Sequence, residues 1–354
     1  LQTVLEYRAR PQEQPMQIHE PTHEELATLP RIIALSGPTG VGKTRLSLAL
    51  ADLLDAEIVN LDSVQIYKGL DIGSAKASAA EQARVPHHLL DCLEPDEPHN
   101  VGDYKERAMA VIGELHARGK QALLVGGTNM YLRVLVHGLF EAPAPDQALR
   151  DRHQAIASEH GVPHLHQQLQ EVDPELAAKI HHNDLVRISR GLEIFEQTGR
   201  KLSDLQREHQ FRLPNYNALK LALVRPREEL YERINARVDR MIEEGLIEEC
   251  RALYDAYGVD CQPFSSLGYR QMQAHLFEGE PLEETLEAIK QATRRYAKQQ
   301  LGWLRSEPGV MFAQAPLVND SGSPPESLVE DARRFLQEGV LPKEPAWAGA
   351  DPYQ

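Results

Sequence analysis

Eight consecutive residues, Gly37-Pro38-Thr39-Gly40-Val41-Gly42-Lys43-Thr44, spell G-x-x-x-x-G-K-[ST]. Glycines permit tight turns that aim successive backbone N–H groups at one anion, and a helix starting there adds its positive end. Lys43 contributes a point charge, and the Thr44 hydroxyl is of the type that holds Mg²⁺ beside a diphosphate. Average residue usage produces this pattern by chance in on the order of one chain in a hundred of this length. The chemistry it supports is diphosphate binding. Nucleotide hydrolysis does not follow from it. In NTP hydrolases a second strand ends in an acid that helps hold Mg²⁺, whereas here the apolar run 121–125 ends in Gly126-Gly127-Thr128, and no N-K-x-D guanine signature is present.

The nearest acid is Asp62, in Asp62-Ser63-Val64-Gln65, at the end of the apolar run 57–61. An acid at a strand's carboxyl end faces the crevice where doubly wound sheets bind ligands. The residues alone leave its role open between a helix cap or Mg²⁺ ligand and a part in the chemistry of that crevice.

These groups need elements to position them. RIIAL (31–35), EIVNL (57–61), QALLV (121–125) and LKLALV (219–224) are short apolar runs of strand character, and helical spacing over 45–54 separates the first two. Strands alternating with helices predict an α/β fold, a P-loop NTPase-like parallel sheet core. From 147 to 211 only helical patterns occur, the last of them over 183–199 with Asn183 or Asp184 as its cap and Gly199 beyond its end. The chain therefore reads as a core of residues 31–146 and 212–314 carrying an inserted all-helical domain, 147–211. Two long helices are expected at about 226–257 and 281–305. Residues 1–30 and the Pro/Gly/Ser-rich 315–354 are expected to be flexible.

The chain has 354 residues, with 38 Lys and Arg against 53 Asp and Glu, for a formal net charge of −15. A nucleic-acid binder usually carries a basic stripe, so bulk charge alone argues against one. Its distribution argues otherwise: 8 units of the excess lie in residues 1–30 and 307–354, and the interior carries 33 basic and 40 acidic groups. No apolar run approaches the ~18 residues of a membrane span. Three cysteines without a C-x-x-C pair or Cys/His cluster point away from a zinc site and towards a reducing compartment. With no apolar leader and an acidic N-terminal segment, a cytoplasmic location and a monomer are expected.

Five segments in order, the phosphate loop, DSVQIYKGLDIGSAK (62–76), VPHHLLD (85–91), VGGTNMY (125–131) and YAKQQLGWLR (296–305), resemble the tRNA dimethylallyltransferases, also called tRNA isopentenyltransferases, over about 31–306. That family moves the dimethylallyl group of dimethylallyl diphosphate to N6 of adenine 37 of tRNA. The resemblance implies that the phosphate loop holds the leaving diphosphate with Mg²⁺, that Asp62 accepts the N6 proton, that Thr128 lines the channel beside the target base, and that Arg237 lies near the diphosphate. It implies tRNA contacts at Asp62, Ser63, Val64, Gln65, Thr128, Arg150, Val186, Arg187, Ile188, Ser189, Arg190, Gly268, Tyr269, Arg270, Gln271 and Lys298. The missing second acid is consistent with this chemistry, since no water need be aimed at a γ-phosphate.

Some residues depart from the pattern. Val186 stands where the family usually has Gln, and a valine cannot hydrogen-bond a base edge; Gln299 replaces an arginine; Ser74 and Ala77 replace Thr and Pro. No segment matches the zinc-finger extension of some eukaryotic members, which favours the bacterial type. Between 290 and 305, Lys290, Arg294, Arg295, Lys298 and Arg305 occur without an acid, a face suited to RNA phosphates. Rival readings are a P-loop small-molecule kinase, an adenylate isopentenyltransferase acting on free AMP, ADP or ATP, and a non-enzymatic diphosphate-binding module. Arg187 and Arg190, three apart on one helical face, favour tRNA.

Overall fold

The computed structural model describes residues 22–139, 142–209 and 214–349. The first stretch runs α1 (His23–Ala27), β1 (Arg31–Ser36), α2 (Lys43–Leu54), β2 (Ala56–Leu61), α3 (Ala79–Arg84), β3 (His87–His88), α4 (Val101–Ala117), β4 (Gln121–Gly126) and α5 (Asn129–His137). Five helices follow: α6 (Gln147–His160), α7 (Val162–Val172), α8 (Pro174–Lys179), α9 (Leu185–Thr198) and α10 (Leu202–His209). The last stretch contains β5 (Asn217–Val224), α11 (Arg227–Glu243), α12 (Leu246–Tyr257), a 3-10 turn (Gln262–Ser265), α13 (Tyr269–Glu278), α14 (Leu282–Ser306), β6 (Val310–Gln314) and α15 (Glu326–Glu338). The described residues divide into two compact units, a core of 22–137 with 214–349 and a helical unit of 138–209.

The core is built on a six-stranded parallel sheet in the order β3-β2-β4-β1-β5-β6. Its central strands are continuous apolar runs because helices cover both faces. Side chains alternate across β1: Ile33 and Leu35 pack with α2, α11 and α15, while Ile32 and Ala34 pack with α4 and α5. Register brings the loops that follow the strands to one edge. Ser36 of β1 pairs with Ala222 of β5, and Leu61 of β2 pairs with Gly126 of β4. Gly37, Asp62 and Gly127 therefore leave the sheet side by side. A third apolar cluster, around Tyr67, Leu70, Leu246, Phe264 and Tyr269, supports the segment after Asp62.

The helical unit packs Leu165, Leu169, Ile188 and Leu192 into its own core. Helix α9 begins at Asp184, whose Oδ1 accepts from Arg187 N at 3.2 Å, and ends at Gly199 in the left-handed region, φ 69°. Asp184, rather than Asn183, is the cap.

Two expectations need correction. The helix expected over 226–257 is two helices, because Gly245 adopts φ 102° and breaks the run between α11 and α12. The segment 315–354, expected to be flexible, carries α15 and packs on the core as far as Trp347. Leu328, Val329, Ala332 and Phe335 form an apolar stripe of helical period, and Arg31 Nη1 donates to the carbonyls of Leu336 and Gln337. High Pro, Gly and Ser content on either side hides that stripe in a composition reading. Of the N-terminal extension, residues 1–21 lie outside the described residues; a Thr22/Glu25 capping box starts α1. The core gives way to the helical unit at Gly138, nine residues before the first of its helices.

Candidate active site

The phosphate loop connects β1 to α2, and Gly42 starts the helix at φ 106°. At Gly37 a side chain is excluded outright, since a Cβ would lie 2.7 Å from Leu223 O. Lys43 Nζ donates to the carbonyls of Gly37 (2.9 Å) and Pro38 (3.1 Å), curling over the loop it follows. Burial pushes its ammonium down to about 8; Arg237 adds to the shift and Asp62 opposes it. Three arginines surround the loop. Arg237 Nη1 donates to Thr39 Oγ1 at 3.2 Å, Arg225 Nε to Val41 O and Arg233 Nε to Gly40 O, both at 2.9 Å. Desolvation lowers the Arg237 guanidinium, against the attraction of Asp62. Pro38 and Val41 are buried, so only their main chain can meet a ligand, whereas Thr44 is exposed at the first turn of α2.

Asp62 follows β2 directly. Its Oδ1 accepts from Val64 N (2.9 Å) and Gln65 N (3.3 Å), and its Oδ2 has no hydrogen-bond partner among the described residues. One oxygen thus braces the turn over 63–66 rather than capping a helix, and the other is left for chemistry. Thr128 lies next to it: Oγ1 accepts from Ser63 N at 3.2 Å, and Thr128 N donates to Leu61 O at 3.0 Å. The approach of β2 and β4 is close enough that a Cβ on Gly126 would lie 2.3 Å from Leu61 O. Tyr296 lies one turn before Gln300 on α14; burial raises its phenol, and the charge of Asp62 adds to that.

The segment 65–76 is held from several sides. Gln65 Nε2 donates to Ser74 O (3.0 Å) and Ala75 O (3.3 Å), and Lys76 Nζ to Tyr67 O, Asp71 Oδ1 and Asp91 Oδ1. Glu249 of α12 accepts from three successive amides, Asp71 (3.0 Å), Ile72 (2.7 Å) and Gly73 (3.0 Å), and from Tyr269 Oη at 2.7 Å. Tyr269 is fully buried against Gly73, where a Cβ would lie 2.6 Å from the ring. The Tyr269 ring is therefore closed off from solvent, and a contact expected of this residue would fall to its main chain. Gly268, also buried, starts α13, and its N donates to Gln271 Oε1. Arg270 is partly exposed, and Lys298 is exposed on α14.

In the helical unit, Ile188 is fully buried and Ser189 nearly so, its Oγ 2.9 Å from His153 Nδ1. Both side chains face the unit's interior, so contacts expected of these residues would fall to their main chain. Val186 projects at 76% exposure. Arg187 pairs with Asp184, while Arg190 Nη1 (2.7 Å) and Arg150 Nη2 (3.4 Å) both meet Glu193, a fully buried carboxylate that these arginines hold below its usual range against the effect of burial.

The model of a family described as IPP transferase matches residues 65–307. The likeness to individual proteins runs further along the chain. A tRNA dimethylallyltransferase 1 of Pelobacter propionicus is 46% identical over 289 residues, 81% of this chain and 94% of that protein. The tRNA dimethylallyltransferase of Geobacter sulfurreducens is 42% identical over 292 residues, 82% and 94% of the two chains. The chain belongs to the IPP transferase family. Among solved structures, the full-length tRNA isopentenylpyrophosphate transferase of Bacillus halodurans is 38% identical with a TM-score of 0.62, covering 87% of this chain and 95% of its own. A eukaryotic dimethylallyltransferase, solved acting on tRNA, has a TM-score of 0.77 at 27% identity, covering 90% and 82%.

Within this family member, sequence reasoning passed over Gln300, Glu249, Arg225, Arg233 and Tyr296 as individual site residues. Gln300 and Tyr296 lie in the quoted YAKQQLGWLR segment, four apart on one helical face, which is the signal that could have singled them out. Glu249 and Arg233 lie in ordinary charged helices and Arg225 in the short connection between β5 and α11, where no local pattern separates a loop anchor from a solvated residue. No helix among the described residues is long and apolar enough to cross a membrane.

Proposed function

We propose that this chain transfers the dimethylallyl group of dimethylallyl diphosphate to N6 of adenine 37 in tRNA. The observation that carries the reading is the register of β2 against β4, which sets Asp62 beside Thr128 at the same sheet edge as the phosphate loop. The loop amides, Lys43 and Arg237 hold the diphosphate. Thr44 is exposed where its hydroxyl would hold Mg²⁺ together with diphosphate oxygens, a ligand set of the kind Mg²⁺ usually takes from a protein. When bound, that ion neutralises charge on the leaving group.

Adenine 37 leaves the anticodon-loop stack before it reacts. Its N6 lone pair is delocalised into the ring and attacks poorly, so Asp62 accepts the N6 proton through Oδ2 as the N6–C1 bond forms. The C1–O bond breaks at the same time, and the diphosphate departs with its electron pair. Thr128 orients the amine. Lys298, Arg270, Arg150, Arg187 and Arg190 are the proposed phosphate and loop contacts, with Val64 and Gln65 beside the base.

The test supplies dimethylallyl diphosphate with tRNA carrying adenine 37, or with free AMP, and follows adenine modification by mass spectrometry. The expected result is prenylated tRNA and unchanged AMP. Modification of AMP alone contradicts the proposal, and phosphate release from ATP supports a kinase instead.

A further inference from the structure

We propose that Gln300 is the positioning residue that sets the spacing between the diphosphate loop and the base-side loop, an inference that rests on the transferase reading above. Gln300 lies on α14 and is 5% exposed. Its Oε1 accepts from Thr39 N at 2.9 Å, and its Nε2 donates to Gly127 O at 3.0 Å. The amide orientation is forced, because a backbone N–H can only donate and a carbonyl can only accept.

The bracket is reinforced on the strand side. The main-chain carbonyl of Gln300 accepts from Asn129 Nδ2 at 3.1 Å, and Asn129 Oδ1 accepts from Ser36 Oγ at 3.0 Å, at the end of β1. The phosphate loop, α14 and the Gly127-Thr128 turn thus form one closed hydrogen-bonded ring. Gly127 fits that ring for a specific reason. A Cβ there would lie 2.2 Å from Gln300 Nε2, while the nearest atom outside Gln300 is Gly37 O at 3.6 Å. Gly127 is not among the glycines of positive φ, so a side chain at this position is opposed by the Gln300 amide rather than by backbone conformation.

Each substrate keeps its own direct contacts when this ring opens: the loop amides, Lys43 and Arg237 for the diphosphate, and Asp62 and Thr128 for the base. What changes is the separation of C1 from N6. Misplacement of reacting atoms by about 1 Å costs on the order of 10²-fold in rate. A bracket therefore affects kcat far more than either KM.

The experiment measures steady-state prenylation of an anticodon stem-loop RNA, binding of inorganic diphosphate by calorimetry, and thermal melting, for wild type, Gln300→Ala, Gly127→Ala and the double variant. Gln300→Ala is expected to lower kcat roughly 10- to 100-fold, with both KM values and diphosphate affinity changed by less than about threefold. Gly127→Ala is expected to do the same by displacing the amide, and the double variant to be no worse than Gln300→Ala, because the clash disappears with the side chain. If Gln300→Ala does not fold, Gln300→Glu keeps the acceptor for Thr39 N while setting an oxygen against Gly127 O, and it must show the same kcat loss. Absence of prenylation by wild type refutes the transferase reading itself. With an active wild type, an unchanged kcat in the Gln300 variant, a loss carried by one KM, or losses that multiply in the double variant overturns the role of Gln300.

Discussion

Replacing Glu249 with alanine tests how the segment after Asp62 is held. The variant removes one carboxylate that accepts three successive amides and the Tyr269 hydroxyl. Hydrogen bonds to charged groups contribute about 1.5–3 kcal/mol each. Here three amides share a partly exposed carboxylate, so the lower end, about 1.5 kcal/mol per amide, applies. That corresponds to about a tenfold change in local opening. Hydrogen exchange read on a peptide covering 68–77 is therefore expected to quicken about tenfold at Asp71–Gly73. Exchange in the central strands should be unchanged. Because Gln65 is oriented by Ser74 O and Ala75 O, KM for tRNA should rise while diphosphate affinity holds. A folded variant with unaltered exchange at Asp71–Gly73 would refute the anchoring role.

Lys43 is protonated, and able to hold a diphosphate, below its value of about 8. It loses that charge as the pH rises through 8, so the affinity difference between wild type and Lys43→Met, measured by calorimetry, should shrink above pH 8; a difference sustained to the ordinary lysine value of 10.5 contradicts the shift. Arg187→Ala should weaken tRNA binding and flatten its salt dependence without altering diphosphate affinity, and an unchanged salt slope removes Arg187 from the phosphate contacts. Phe335→Ala, in the buried stripe of α15, should cost about 3–5 kcal/mol of stability, whereas unchanged denaturant unfolding would mean that this helix is not part of the core.

The phosphate loop, Asp62 and Thr128 were legible because their chemistry lies in short contiguous segments, and the strands that carry them are uninterrupted apolar runs. Register then does what local pattern cannot, joining the ends of β2 and β4. The residues that were missed act across long separations: Gln300 meets Thr39 and Gly127, and Glu249 meets Asp71–Gly73. Tyr269 and Ile188 illustrate the converse. Both occupy segments assigned to tRNA contact, yet both are fully buried, and a segment's resemblance does not say which of its side chains point outwards. Bulk charge was the weakest guide, since about half of the acidic excess lies in the two terminal stretches.

The most direct test of the central claim is the single-turnover rate of Asp62→Asn with dimethylallyl diphosphate and a tRNA anticodon arm. Asparagine keeps an oxygen to accept from Val64 N and Gln65 N, so the local turn survives while the base is lost. The predicted result is a folded protein with undiminished diphosphate affinity and a rate lowered roughly 10²–10⁴-fold. A near-normal single-turnover rate in that variant would contradict the assignment of Asp62 as the group that takes the N6 proton.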